Sequence, residues 1–226
     1  PGLALPLIAL QYHEVKVKCT FRPLLALLNS DGVSGTLSGT PTIKCYADYI
    51  YLDTDERRRF AQVSHEYLIE QVQFTGSNTL KASNTLNFNH PVKELVWVCQ
   101  PNAHNTESST GHTVTGAQGS NNNYLSYSFA SGNGETVNGQ TSYEAFSEGH
   151  LQLNGHDRFS ARKASYFRTV QPYQHHDNVP SKHVYSYSFA LKPSEHQPSG
   201  TCNFSRIDNA SLKLTSVQSS STIHIF

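Results

Sequence analysis

The chain of 226 residues contains no methionine, one tryptophan and only four cysteines. The cysteines are far apart and none forms a C-x-x-C pair, which argues against a disulfide framework and against a cysteine-based zinc site. Cys19, Cys45 and Cys99 lie within apolar alternating segments. We therefore expect the thiols to be reduced and inert, and these three to pack as small buried hydrophobic groups.

Long apolar runs are also missing. No run approaches the roughly 20 residues that span a bilayer. The opening PGLALPLIAL is apolar, but no basic region precedes it and no small-residue cleavage pattern follows it, so a signal peptide is not indicated. Because the chain has no initiator methionine, we expect it to be an internal fragment of a longer polypeptide.

Charge of one sign is not in excess, since 17 basic side chains balance 17 acidic ones. A protein that binds nucleic acid electrostatically needs a basic face, and this balance argues against direct nucleic-acid binding. The one basic run, Arg57 to Arg59, fans out around a predicted helix. A solvated helix surface is the favoured interpretation of that run.

The spacings that support catalysis or metal binding are absent as well. There are twelve histidines but no H-x-H pair, and His65-Glu66 lacks the second histidine that a zincin helix requires. His175 and His176 are adjacent, so in a strand they would point to opposite faces. No G-x-S-x-G elbow and no phosphate-binding glycine loop occurs. The sequence predicts no catalytic residue, no metal site and no cofactor.

What the chain does contain is period-two alternation, most clearly between His183 and Leu214. Tyr185, Tyr187, Phe189 and Leu191 share one face, opposite small and polar residues, which is typical of a strand with one buried side. A tight connection punctuated by two prolines and Gly200 follows, in which the glycine permits a positive φ. Alternation then resumes at Leu212 and Leu214. Comparable strands are predicted at Leu7–Phe21 with a bulge near His13-Glu14, Ile43–Leu52, Leu68–Phe74, Leu86–Cys99 with Pro91 at a bulge or edge, Leu151–Phe159, Ala164–Val170 and Ser219–Phe226. The pair Asn154-Gly155 is a strong turn signal among them.

Two segments break this pattern. Asp53–Tyr67 has apolar residues at helical spacing, with Asp53 as the N-cap and Glu56 in capping-box position, and is predicted as the one short helix. Residues 101–140 are rich in Asn, Ser, Thr and Gly, which predicts a long polar surface insertion that tolerates shortening, with room for one short hairpin. About eight strands without βα alternation predict an all-β fold, an antiparallel eight-stranded jelly-roll sandwich.

Five stretches carry a resemblance to a known family. They are Leu5–Val17 (LPLIALQYHEVKV), Arg58–Gln73 (RRFAQVSHEYLIEQVQ), Phe88–Val98 (FNHPVKELVWV), Leu151–Phe159 (LQLNGHDRF) and Tyr187–Leu214 (YSFALKPSEHQPSGTCNFSRIDNASLKL). Together they closely resemble the major capsid proteins of nucleocytoplasmic large DNA viruses, the double jelly-roll family. The stretches occur in the family's order and extend over nearly the whole chain.

The resemblance implies a structural protein without enzymatic activity. Residues 1–226 would form a single jelly-roll domain, the second of two in such a capsid protein, truncated at both ends. The implied partners are two further copies in a homotrimer assembled through the missing jelly roll, adjacent pseudo-hexagonal capsomers and minor capsid proteins. An inner membrane would lie beneath the shell without being bound directly. The implied location is the virion capsid of an icosahedral virus, with assembly in the host cytoplasm.

An alternative from another functional class remains open, namely a jelly-roll lectin that binds host glycans. Tyrosine rings stack on sugars, and the alternating segments supply several, although such rings more commonly fill a sheet interface. The tyrosines concerned are Tyr46, Tyr49, Tyr51, Tyr185 and Tyr187.

Overall fold

The computed structural model describes residues 3–21, 42–102, 127–129, 133–137 and 140–226. The chain divides into two compact units, which are described separately. The first unit consists of Pro1–Pro23 and Thr36–Glu70, and the second of Leu24–Gly35 and Gln71–Phe226. None of the helices in the described ranges is both long enough and apolar enough to cross a membrane.

The helix of the first unit, α1, spans Thr54–Gln62. Asp53 occupies the N-cap position, and its carbonyl accepts a hydrogen bond from Arg57 N at 2.9 Å. Its side chain makes no capping bond, so the predicted capping box with Glu56 does not form. Because Val63 is extended, at φ −91° and ψ 140°, the helix ends before the predicted Tyr67.

No residue of α1 is buried. Phe60 is half-buried and stacks on His65, with the ring centroids 5.1 Å apart. The carbonyl of Phe60 lies 2.8 Å from Nε2 of the same histidine. The aromatic side of this helix is therefore covered mainly by the residues that follow it in the chain.

The strands predicted in the first unit do not form among its described residues. Leu7–Tyr12 is a series of turns, with Ala9 N donating to Pro6 O at 2.9 Å and His13 N to Leu10 O at 3.1 Å. Residues 13–21 and 42–53 pair with no other strand, and Cys19 and Cys45 are exposed rather than buried as expected. Alternation gives a segment one apolar and one polar face. A strand also needs a neighbouring strand whose backbone groups form hydrogen bonds with its own.

The prediction of a strand at Leu68–Phe74 is also wrong. These residues have no ladder partner, and Leu68, Val72 and Phe74 are exposed to solvent. Phe74 is nevertheless anchored, because its ring stacks on Phe226 with a centroid distance of 4.7 Å. The segment is held by a side chain rather than by a ladder.

The described part of the second unit contains thirteen strand segments. Their bounds are β1 Ser77–Thr79, β2 Ser83–Thr85, β3 Pro91–Val92, β4 Glu94–Pro101, β5 Asn133–Val137, β6 Gln140–Glu144, β7 Glu148–Leu153, β8 His156–Asp157, β9 Arg162–Lys163, β10 Val184–Ser188, β11 Cys202–Asn203, β12 Ala210–Leu214 and β13 Ser221–Ile225. All pairings are antiparallel. The predicted all-β antiparallel class is confirmed, whereas the count of eight strands is not.

Two main sheets carry the fold. The first has the strand order β1-β13-β4-β10, and the second has the order β2-β12-β7-β8, with β9 also pairing with β7. Two small ribbons, β11-β3 and β5-β6, complete the described strands. Pro91 lies in the β3 ribbon, paired only with Asn203, which agrees with the prediction of a bulge or edge position.

Alternation of burial along the strands forms the core, and it is strict in β12 and β13. In β13 the buried residues are Ser221, Ile223 and Ile225, and β12 repeats the pattern with Ala210, Leu212 and Leu214. Side chains from such alternating positions pack together in one cluster. Its largest members are Trp97, Tyr185, Phe146 and Phe167.

The turn between β7 and β8 confirms a sequence prediction. Asn154 and Gly155 have φ values of 50° and 82°, as a two-residue hairpin turn requires. The Asn154 side chain is also used, because its Oδ1 accepts hydrogen bonds from Asp208 N at 2.9 Å and Asn209 N at 3.1 Å. This turn therefore ties the hairpin to the segment that leads into β12.

The segment predicted as a strand at Ala164–Val170 is helical instead. After β9 comes a π-helical turn, Tyr166–Val170, followed directly by a second α-helix, α2, at Gln171–His175. Phe167 is buried in the core, 5.3 Å from the ring of Trp97. A single deep aromatic anchor determines the packing of this segment, and its short apolar run does not distinguish strand from helix.

Most of the predicted insertion, residues 103–126, lies outside the described residues. The part of residues 101–140 that the structure describes leads into a hairpin of β5 and β6, which pairs Asn133 with Glu144 and Val137 with Gln140. Beyond its last residue, Glu144, the chain enters the core at Ala145 and Phe146.

Candidate functional site: a buried cluster at Glu144

The described chain buries one strong ion pair, at the end of β6. The Glu144 residue is 3% exposed. Its Oε1 atom accepts hydrogen bonds from Arg168 Nη2 at 2.7 Å and from Arg168 Nε at 2.8 Å. Arg168 comes from the π-helical turn. Because two guanidinium nitrogens bind one oxygen, the side chain is held by charge and by geometry together.

The other carboxylate oxygen is also bound. The Tyr185 hydroxyl, from β10, donates to Glu144 Oε2 at 2.7 Å and accepts from the Ala145 amide at 3.3 Å. Glu144 thus joins three elements: the end of β6, the π-helical turn and β10. A buried carboxylate with bonds to both oxygens meets the requirement that buried charge be paired.

Three further titratable groups respond to this environment. Burial raises the pKa of the Tyr185 hydroxyl well above its ordinary value, and the negative charge of Glu144 raises it further. Burial likewise raises the pKa of the Cys99 thiol, with a smaller contribution from Glu144. His183 is half-buried, and burial lowers its pKa although the Glu144 charge opposes that shift.

The chemistry available to the cluster is therefore limited. A nucleophilic cysteine needs a lowered pKa and access, whereas Cys99 is fully buried with a raised pKa. A general base needs a free lone pair near substrate, whereas both Glu144 oxygens are occupied. The arrangement favours a structural function, fixing the π-helical turn against the sheet.

Sequence reasoning missed this cluster because no motif marks it. Glu144 ends a hairpin close to the polar insertion, Arg168 lies in a segment predicted as a strand, and Tyr185 was considered only for packing or for stacking on a glycan. The one available signal was a carboxylate inside the apolar run Tyr143-Glu144-Ala145-Phe146. A charge in such a run is unusual unless it is paired.

The histidines singled out from the sequence each have a different partner. His65 contacts Phe60 O in the first unit, while in the second unit His175 Nδ1 lies 2.9 Å from Leu191 O. His176 Nε2 lies 2.7 Å from Glu94 Oε1. Across the described ranges, no group of three or more His, Cys, Asp or Glu side chains could hold a metal ion.

The tyrosines considered for glycan stacking differ in exposure. Tyr185 is buried within the sandwich and Tyr187 is half-buried, so neither presents an open ring face. Tyr46, Tyr49 and Tyr51 are exposed in the first unit. The described residues thus give no shared platform to the five rings.

Comparison with known proteins then places the chain. Residues 56–225 match the family model described as the large eukaryotic DNA virus major capsid protein. The chain belongs to this family. Residues 1–53 match a second model, described as the major capsid protein N-terminus.

Individual relatives agree with the assignment to the major capsid proteins. The chain is 46% identical to the major capsid protein of Pyramimonas orientalis virus, over 100% of this chain and 53% of the relative. It is 48% identical to the major capsid protein of Paramecium bursaria Chlorella virus 1, over 95% of this chain and 51% of the relative. The chain therefore spans about half the length of the curated relatives it matches.

A solved structure supports the fold as well. A quasi-atomic structure of the PBCV-1 virus capsid aligns with a TM-score of 0.58 and 35% identity, over 77% of this chain and 50% of that chain. The sandwich around Trp97 and Glu144 is thus part of a capsid-protein fold.

Proposed function

We propose that the protein is a structural component of the outer shell of an icosahedral large DNA virus. The observation that carries this proposal is the 35% identity to a chain of the PBCV-1 capsid over 77% of this chain. The Glu144 cluster agrees with it, because its polar groups bind one another rather than facing a substrate. On this proposal the protein works by association and carries no catalytic residue and no cofactor.

The finer assembly follows the family resemblance. The two main sheets of the second unit form a jelly-roll domain, the second of a pair, and residues 101–140 form a surface insertion. Three copies make a pseudo-hexagonal capsomer that contacts adjacent capsomers and minor capsid proteins, without direct contact to nucleic acid or to the inner membrane. The virion is assembled in the host cytoplasm.

Exposed apolar side chains in the first unit support the proposal that the protein works by associating with other protein surfaces. Tyr12 is 94% exposed and Tyr51 is 91% exposed, and other large apolar side chains of this unit are also open to solvent. Exposed apolar side chains mark interaction sites in soluble proteins where they lie together in one patch. On this proposal, the rest of the capsid protein covers part of that surface.

Analytical ultracentrifugation tests the assembly. We expect the full-length protein to sediment as a stable trimer, and the 226-residue chain alone to be poorly soluble or to form irregular oligomers. A well-behaved full-length monomer at micromolar concentration would contradict the proposal.

A glycan array tests the lectin alternative. That alternative requires specific glycan binding that is lost in the Tyr51→Ala variant.

A further inference from the structure

The strand β10 lies at one end of its sheet in the described part of the chain, with β4 on its inner side. Phe189 N donates to Lys93 O at 2.9 Å, toward β4, and ladder alternation directs the Ser188 amide the opposite way. An outward row of amides and carbonyls is a template for pairing with another chain. The outer side of β10 therefore needs a covering element.

That covering element is the helical segment Tyr166–His176, here called the strap. Its clearest contact is made by Gln171, a buried residue whose Oε1 accepts a hydrogen bond from Ser188 N at 3.0 Å. The amide of Ser188 is thus bound by a side chain where a neighbouring strand would supply a carbonyl. Gln171 Nε2 donates in turn to the Tyr166 hydroxyl at 2.8 Å, which fixes the side-chain orientation.

Further contacts attach the strap to β10 and its surroundings. At one end, Arg168 binds Glu144, which also binds Tyr185 of β10. At the other end, His175 Nδ1 lies 2.9 Å from Leu191 O, and His176 Nε2 lies 2.7 Å from Glu94 Oε1. The strap is therefore attached near the start of β10, through Glu144 and Tyr185, and near its end, at Ser188, Leu191 and Glu94.

We propose that the strap is an edge guard, in which Gln171 occupies the hydrogen-bonding position of a missing strand and prevents β10 from pairing with the same edge of a second copy of this chain. Strand addition is an association mode that a shell protein must avoid during assembly, because it does not depend on the intended side-chain contacts. The inference goes beyond the proposed function and does not depend on the number of copies in a capsomer.

Hydrogen exchange of the unmodified full-length protein, which we expect to be soluble, is the first test and needs no variant. The Ser188 amide points away from β4, yet the guard should protect it nearly as well as the inward-facing amides of Tyr187 and Phe189. Exchange of Ser188 as fast as that of a fully exposed amide would overturn the proposal.

Variants at Gln171 provide the second test. Gln171→Met keeps the shape but removes both hydrogen bonds, and we expect Ser188 exchange to accelerate about tenfold. Tyr166→Phe leaves the Ser188 contact in place, so Ser188 exchange in that variant should stay within about twofold of the exchange in the unmodified protein. Near-ultraviolet circular dichroism verifies folding. The proposal would be contradicted if the Ser188 amide exchanged at an unchanged rate in Gln171→Met. It would also be contradicted if exchange of the Tyr187 amide accelerated as much as exchange of the Ser188 amide.

Association is the functional readout. At equal micromolar concentration, light scattering should grow faster for Gln171→Met than for Tyr166→Phe or the unmodified chain, because its β10 edge is open to a second copy. If the Ser188 amide of Gln171→Met exchanged rapidly but the variant did not associate faster, the Gln171 hydrogen bond would only stabilise the structure locally. That result would overturn the guard function.

Discussion

Tyr51 and Tyr185 come from segments with the same alternating pattern, yet Tyr51 is 91% exposed and Tyr185 is fully buried. The segment around Tyr185 pairs with β4 over five consecutive residues. The segment around Tyr51 pairs with no strand in the described ranges. The difference shows that alternation gives a segment the ability to line a core, while a neighbouring strand determines whether it does so.

The largest expected effect comes from removing a central side chain of the sandwich. Phe167 is fully buried and contacts Trp97, Phe146 and Phe159. Phe167→Ala should lower the free energy of unfolding by about 3 to 5 kcal/mol, because it leaves a cavity among packed rings. This loss is measured by urea denaturation, with the fluorescence of Trp97 as the signal for unfolding.

The matched variant in the first unit is Tyr51→Ala. The Tyr51 ring has almost no packing to lose, so the free energy of unfolding should change by no more than about 0.5 kcal/mol. A loss as large as that of Phe167→Ala would mean that the first unit contributes to the cooperative core, and would remove the contrast between the two regions.

The next effect compares two ion pairs of equal length. Arg168 Nη2 lies 2.7 Å from Glu144 Oε1 and Lys16 Nζ lies 2.7 Å from Glu14 Oε2, but only the first pair is buried. Glu144→Gln leaves Arg168 without its counter-charge and should cost about 2 kcal/mol, below the range for fully buried ions because the Arg168 side chain is 18% exposed. Chemical denaturation at neutral pH measures the loss.

Glu14→Gln is the control for this comparison. Both side chains of that pair are largely solvated, and such pairs contribute little to stability. No measurable change is expected. Equal losses in the two variants would show that distance, rather than burial, determines the contribution of these ion pairs.

Effects of equal or smaller size are expected at two glycines of the second unit. Gly200 has φ 153°, and an added Cβ would lie 2.8 Å from the Phe189 carbonyl oxygen. Gly155 has φ 82° but open space around the position of a Cβ. Gly200→Ala should therefore destabilise by about 2 kcal/mol and Gly155→Ala by about 1 kcal/mol. Thermal unfolding distinguishes them, and the reverse order would refute the close backbone approach.

The smallest effect is a pH dependence. Because burial lowers the pKa of His183 in the folded chain, the unfolded chain binds more protons, and stability falls as pH drops from about 6.5 toward that lower pKa. His183→Gln should flatten this part of the stability profile. His13→Gln, in the first unit, is the control. If stability fell with decreasing pH as steeply in His183→Gln as in the unmodified chain, the fall could not be attributed to His183.

The sequence allowed prediction of elements whose signals are local and whose partners exist. The Asn154-Gly155 turn, the tight connection at Gly200 and the alternation of β12 and β13 were all readable from residue type and spacing. They agree with the structure because local preference and tertiary contacts favour the same conformation there.

The failures share a different physical cause. Pairing in the first unit depends on neighbours that periodicity does not reveal, so Ile43–Leu52 was predicted as a strand that the structure lacks. The π-helical turn is determined by the burial of Phe167 and the Glu144–Arg168 pair, which are contacts between residues distant in sequence. Burial of a charge can be inferred only once its counter-charge is known to lie beside it.

The position of β13 has a consequence for the timing of folding. This strand lies between β1 and β4, so it is an interior member of its sheet although it is formed by residues 221–225. During synthesis β1 and β4 leave the ribosome long before the strand that joins them, at rates of roughly 5 to 20 residues per second. For several seconds the nascent chain therefore exposes two unjoined edges and the aromatic residues beneath them. Protection by a chaperone during this interval, measured on ribosome-bound chains halted before and after Ser221–Ile225, would be greatest just before that strand emerges.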